Sequence, residues 1–115
     1  QRISEPQPRL LIGFQEDRVE IRDPAEITRI YAAQQKVYAS AARGTYLLRL
    51  RLYELEERLE RDGFLRISNS ELINLRKVKN FDLSISGTIY VQFQNGEHTY
   101  VSRRYVTKIK SALGI

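Results

Sequence analysis

The chain has 115 residues, 42% of them hydrophobic, and 19 Lys and Arg against 14 Asp and Glu give a net charge of +5. That length suits one domain with one core and is too short for two independent ones. Cysteine is absent, which excludes a disulfide framework, a thiolate metal site and a thiol nucleophile. No apolar run approaches the roughly 20 residues that a membrane helix needs, so a soluble, cytoplasmic protein is expected. Methionine is also missing, even at position 1, which points to a segment of a longer or processed polypeptide.

Gln1 to Arg9 hold two of the three prolines and no periodicity, and read as a linker or loosely ordered tail before a domain covering 10–115. Leu10 to Phe14 and Val19 to Arg22 are predicted strands around the acidic turn Gln15-Glu16-Asp17. Asp23-Pro24-Ala25-Glu26 has the cap-then-proline pattern of a single helical turn. Strands follow at Ile27 to Ala33 and Lys36 to Ala41 around Gln34-Gln35, then a turn at Ala42-Arg43-Gly44 and a strand from Thr45 to Leu50. Leu52, Leu55 and Leu59 recur at helical spacing and predict a helix over Leu52 to Asp62. On it Glu54 to Arg58 and Glu57 to Arg61 are spaced as i,i+4 ion pairs, each worth roughly 0.2 to 0.5 kcal/mol. Gly63 ends the helix.

Phe64 to Ile67 should be a strand, and Ser68 to Ile73 a turn or one helical turn behind a Ser or Asn cap. Val78 to Ser84 and Thr88 to Phe93 read as strands around Ser86-Gly87, and Asn95-Gly96 as a two-residue hairpin turn that brings Glu97 to Val101 alongside. Arg103 to Leu113 is an amphipathic helix with Ser102 as N-cap. Tyr105, Val106, Ile109, Ala112 and Leu113 share its covered face, while Arg103, Arg104, Thr107, Lys108 and Lys110 occupy the other. Many short strands with two helices predict an α+β, mainly β domain.

Charge is distributed unevenly along this chain. Residues 1–63 are neutral, whereas residues 64–115 carry Arg66, Arg76, Lys77, Lys79, Arg103, Arg104, Lys108 and Lys110 against only Glu71, Asp82 and Glu97. A one-sided cationic surface gains free energy by displacing counterions from a polyanion, and a solvated basic helix gives the same count. Catalytic chemistry is thin by comparison. The one histidine, His98, follows the Asn95-Gly96 turn and reads as a surface residue; there is no glycine-rich phosphate loop, nucleophile elbow or zinc spacing, and Glu54, Glu56, Glu57 and Glu60 read as a solvated helix face. Neither an enzyme nor a cofactor is expected.

If the polyanion is duplex DNA, a helix-turn-helix is disfavoured, because the first helix carries four glutamates and an aspartate against two arginines. Recognition then falls to loops and element ends: Arg66, Ser68, Asn69 and Ser70 on one turn, Arg103 and Arg104 at a helix start, and Gln34-Gln35-Lys36 on a hairpin. These types suit the task, since Arg pairs with guanine, Asn and Gln pair with adenine, and Ser and Lys hold phosphates. Single-stranded RNA would call for exposed aromatics, and the seven tyrosines fall in predicted core elements.

Three separated motifs in order, Phe64-Leu-Arg-Ile-Ser-Asn-Ser-Glu-Leu-Ile-Asn-Leu-Arg-Lys-Val-Lys79, Ile89-Tyr-Val-Gln-Phe-Gln-Asn-Gly-Glu97 and Val101-Ser-Arg-Arg-Tyr-Val-Thr-Lys-Ile-Lys110, resemble the LytTR (LytR/AlgR-type) family of bacterial DNA-binding domains. The resemblance runs from Leu10 to Leu113. It implies a fold of short antiparallel sheets with one mid-chain helix and a C-terminal amphipathic helix, which inserts loops into successive major grooves of promoter DNA. Such domains serve as the output half of a two-component response regulator or as stand-alone regulators; no receiver domain is visible in this chain. Carried over by position, base contacts would fall on Asn69, Arg104 and the hairpin at Gln35 and Lys36, with Ser68, Ser70, Tyr105 and Lys108 on phosphates. Some members have a histidine on that hairpin where this chain has glutamine, so the family's base preference there does not transfer. A dimer or cooperating monomers on paired sites is expected. The competing reading is a non-catalytic protein-interaction module whose basic face meets an acidic partner.

Overall fold

A computed structural model describes residues 10–115, and the tail expected for Gln1 to Arg9 lies outside the described residues. Ten strands and two helices follow one another as β1 (Leu11–Gln15), β2 (Arg18–Arg22), β3 (Ile27–Ala33), β4 (Lys36–Ala41), β5 (Gly44–Leu48), α1 (Leu52–Arg58), β6 (Phe64–Ser68), β7 (Glu71–Asn74), β8 (Val78–Asp82), β9 (Ile89–Phe93), β10 (His98–Val101) and α2 (Val106–Leu113). Seven strands form an antiparallel sheet in the order β2-β1-β5-β4-β3-β7-β6, and three form a second sheet, β10-β9-β8. The mainly β, α+β architecture is the expected one.

Two cores are present, not one. Ile27, Ile30, Leu48, Leu55, Leu59, Phe64 and Leu72 pack under α1, whereas Ile67, Ile73, Ile89, Val91, Phe93, Val101 and Ile109 pack between the sheets and under α2. The physical reason is strand alternation. Leu72 and Ile73 are neighbours on β7, point to opposite faces, and are both fully buried. The β6-β7 end of the large sheet is therefore covered on both sides, by α1 on one and by the small sheet and α2 on the other.

Several local expectations need correction. The first α-helix stops at Arg58, and a separate 3-10 turn fills Glu60–Asp62 before Gly63, whose left-handed φ of 88° reverses the chain. Neither expected i,i+4 pair forms among the described residues: the Glu54 carboxylate instead accepts from the Arg51 N–H at 2.8 Å and caps the helix start, and Arg61 lies beyond the helix end. Glu71–Asn74 is a strand, and the predicted turn shrinks to Asn69-Ser70. At the β9-β10 hairpin Phe93 N–H donates to Glu97 O and Gly96 N–H to Phe93 O, a three-residue loop in which only Gly96 takes positive φ. A two-residue turn of the mirrored type would have needed positive φ at Asn95 as well.

The C-terminal helix opens with a 3-10 turn, Arg103–Tyr105, and the Ser102 side chain makes no cap bond; its carbonyl accepts from the Tyr105 N–H at 2.8 Å. Ile109 is buried as expected, but Ala112 is exposed. Of the seven tyrosines only Tyr46 is buried; Tyr90 and Tyr100 stack with His98 on the outer face of the small sheet, and Tyr53 is exposed. The tyrosines are not a core set.

Candidate nucleic-acid interface

Antiparallel pairing decides which turns share an end of the large sheet. β3 runs beside β7 with Tyr31 opposite Glu71, and beside β4 with Ala33 opposite Lys36. The Gln34-Gln35 tip and the Asn69-Ser70 turn therefore project from the same end. β5 finishes there too, since Val37 lies opposite Leu48, so Arg49 and Arg51 follow on this edge. Ala32 N–H donates to Ser70 O at 2.8 Å and ties the two tips together. An open groove of about 750 Å³ between them is lined by Gln35, Lys36, Arg49, Arg51 and Asn69.

The third segment joins through the other side of the Asn69 turn. Ser102 N–H donates to Ile67 O at 2.9 Å, and the Tyr105 hydroxyl donates to Asn69 Oδ1 at 3.2 Å. The structure thus brings the hairpin tip, the 68–70 turn and the 102–105 segment into one hydrogen-bonded chain. Asn69 is exposed, and with Oδ1 anchored by Tyr105 its Nδ2 stays available as a donor. Gln35, Lys36 and Arg104 are exposed and make no side-chain hydrogen bond or ion pair among the described residues. Ser70 is exposed and Ser68 half-buried; Ser68 Oγ accepts from the Ser70 N–H at 3.1 Å, which stiffens the turn. Arg103 is exposed with its guanidinium beside Gly87, toward the small sheet.

Gln34 and Gln35 sit at φ 53° and 65°. Two adjacent non-glycine residues in the left-handed region are uncommon, because the Cβ crowds the backbone there. A mirrored two-residue turn suits the twist of β3 and β4 but is usually built with Asn and Gly. Here the chain accepts the strain and keeps two amide side chains at the tip.

Arg66 is committed to the protein. Its Nε donates to Ser68 O at 2.7 Å, Nη2 to Asn69 O at 2.8 Å and Nη1 to Glu56 Oε1 at 2.6 Å. Strand alternation turns Phe64 and Arg66 toward α1, which is how Arg66 meets Glu56. Glu56 also lies 3.5 Å from Lys108 Nζ, and Lys108 stands over the Tyr105 ring at 5.9 Å. Sequence reasoning missed this role of Glu56, which reads as one more solvated acid. It also missed Arg49 and Arg51, whose charges are cancelled in a count over residues 1–63 and which only the strand pairing brings to the edge.

Among the described residues no group of three or more His, Cys, Asp or Glu is placed to hold a metal ion, and no helix is long and apolar enough to cross a membrane.

Comparisons with known proteins bear on the family and the fold. The family model of the LytTr DNA-binding domain matches residues 17–114. Proteins named as uncharacterized HTH-type transcriptional regulators in Staphylococcus aureus strains NCTC 8325 and COL are 32% identical over 105 residues, covering 91% of this chain and 71% of theirs. The fold is similar to the LytTr DNA-binding domain of a Bacillus cereus protein named as a methyl-accepting/DNA response regulator, with a TM-score of 0.88 at 24% identity over 92% of this chain and 97% of that one.

Proposed function

The chain belongs to the LytTR family of DNA-binding domains, and from that premise we propose that residues 10–115 read a specific duplex sequence with the sheet end formed by Gln35, Lys36, Asn69 and Arg104. The observation that carries this reading is the hydrogen-bonded continuity of that end, from Ala32–Ser70 through Asn69–Tyr105. Gln35, Asn69 and Arg104 contact base edges, with Asn and Gln suited to adenine N6 and N7 and Arg to guanine O6 and N7. Lys36, Ser68, Ser70, Arg103 and Lys108, with Arg49 and Arg51, hold phosphates and set the register, while Tyr105, whose one hydroxyl proton goes to Asn69, positions that side chain. Arg66 positions the turn through the carbonyls of Ser68 and Asn69. The protein acts as a bacterial transcriptional regulator, as the output domain of a response regulator or as a stand-alone factor, and pairs of copies occupy repeated sites.

Selection of bound fragments from random duplex DNA tests the reading and reports the half-site spacing. A protein-interaction module would enrich no sequence. On the selected site Arg104→Ala weakens binding by about 1 to 3 kcal/mol and leaves scrambled DNA nearly unaffected. Lys108→Ala weakens both duplexes and makes the salt dependence shallower, by less than the roughly 0.9 in log–log slope of one full phosphate contact, because Glu56 shares the charge of Lys108. Equal losses on the two duplexes for Arg104→Ala would contradict base reading.

A further inference from the structure

A carboxylate set among groups that face phosphates lowers affinity for any duplex, so Glu56 on this surface calls for a physical account. Its surroundings supply one. The Glu56 side chain is 31% exposed and lies against Arg66, 15% exposed, at 2.6 Å, with Lys108 at 3.5 Å on its other oxygen. Each nitrogen of the Arg66 guanidinium is spent: one on Glu56 and two on the carbonyls of Ser68 and Asn69. A planar guanidinium can hold two carbonyls of a turn at once only if its own rotation is fixed, and the third contact, to a carboxylate, fixes it. The same turn is held from the opposite side by Tyr105, whose ring lies beside Lys108.

We propose that Glu56 is a specificity-positioning residue: it trades affinity for duplex DNA in general against a rigid Asn69 turn, by clamping Arg66 and by holding back Lys108. This rests on the sequence-reading role of the sheet end given above. Without Glu56 the phosphate-facing surface gains one unit of positive charge, Lys108 is released, and the carbonyls at Ser68 and Asn69 lose their fixed partner. Binding to DNA of any sequence should then strengthen while discrimination falls. A merely structural residue would lower both together.

The experiment compares the wild-type protein, Glu56→Ala, Glu56→Gln and Lys108→Gln by fluorescence anisotropy on the selected duplex and a scrambled one across a salt series. Amide hydrogen exchange at Asn69 and Ser70 is measured on the free proteins. Glu56→Ala should bind scrambled DNA about two- to fivefold more tightly at low salt, with a log–log slope steeper by up to about 0.9, and should lose about tenfold in the ratio of selected to scrambled affinity. Exchange at the turn should quicken. Glu56→Gln, which keeps an acceptor for Arg66 but no charge, should show the gain on scrambled DNA with a smaller loss of discrimination. Lys108→Gln should weaken both duplexes with turn exchange unchanged.

Weaker binding of Glu56→Ala to both duplexes by the same factor would overturn the proposal, as would unchanged exchange at Asn69 and Ser70. A wild-type protein that showed no preference for any selected duplex would instead refute the sequence-reading function. The exchange measurement on free protein would still decide whether Glu56 orders the turn.

Discussion

Single side chains on this molecule work by fixing one another. Tyr105 spends its hydroxyl on Asn69, at the protein surface, where a hydrogen bond contributes only about 0.5 to 1.5 kcal/mol to folding. Tyr105→Phe should therefore lower the thermal midpoint by only about 2 to 6 °C while reducing the preference for the selected duplex several-fold, since the Asn69 amide is free to rotate. Parallel melting and anisotropy measurements check this, and an unchanged preference would remove Tyr105 from the positioning role. A second polar knot joins the two sheets. Glu71 accepts from Thr99 Oγ1 at 3.0 Å and pairs with Arg29 at 3.1 Å, while Arg29 also reaches Glu97 at 3.2 Å. Burial raises the Glu71 carboxyl above its ordinary 4.5, and Arg29 and the Thr99 hydrogen bond only partly offset that. A carboxyl whose folded-state value is raised takes up its proton more readily in the native protein. Its stabilising contribution is complete below the ordinary value and is lost as pH rises through the window up to the raised one. Glu71→Gln cannot titrate, so the stability of wild type relative to this variant should fall as pH climbs upward from 4.5, a trend that urea denaturation at a series of pH values would show.

At the scale of elements, the hairpin tip at Gln34-Gln35 carries the clearest conflict between folding and use. A non-glycine residue in the left-handed region costs of order 1 to 2 kcal/mol, which glycine avoids while losing more backbone freedom on folding. Gln35→Gly should thus raise stability by about 0.5 to 1 kcal/mol in urea titrations. It should also weaken binding to the selected duplex, because the amide proposed to read a base is gone. A destabilised variant would mean that the tip is not strained. Most strands were legible from alternation and β-branched residues, Ile27–Ala33 and Lys36–Ala41 to the residue. β7 was not. Ser68-Asn69-Ser70 carries a helix-cap signal that competes with a four-residue strand, and only pairing to β3 and β6, remote in sequence, decides it. The same limit applies to the interface. Asn69 and Arg104 were legible as polar residues beside apolar core positions, whereas Glu56, Arg49 and Arg51 reach this edge only through pairings and contacts that no local pattern encodes.

For the whole molecule the decisive feature is that two cores share one strand. Leu72 belongs to the core under α1, and Ile73 to the core between the sheets and α2. Both are fully buried, so replacement by alanine should cost about 2 to 5 kcal/mol in either case. Were the cores independent, Leu72→Ala would loosen the large sheet alone and Ile73→Ala the small sheet and α2 alone. β7 is too short to fail on one face only: its backbone pairs with β3 and β6 over the same few residues that bear both side chains. Either substitution should therefore lower protection from hydrogen exchange in both halves together, for instance at Ile30 and at Val91, and unfolding should remain a single transition in urea. The Asn69-Ser70 turn precedes β7 directly and is tied to β3 and Tyr105. Its rigidity should then come from both cores, which would let a loop at the sheet edge hold the fixed geometry that the proposed base reading requires. Two separate transitions for Ile73→Ala, with α2 melting first, would show that the turn depends on one core alone.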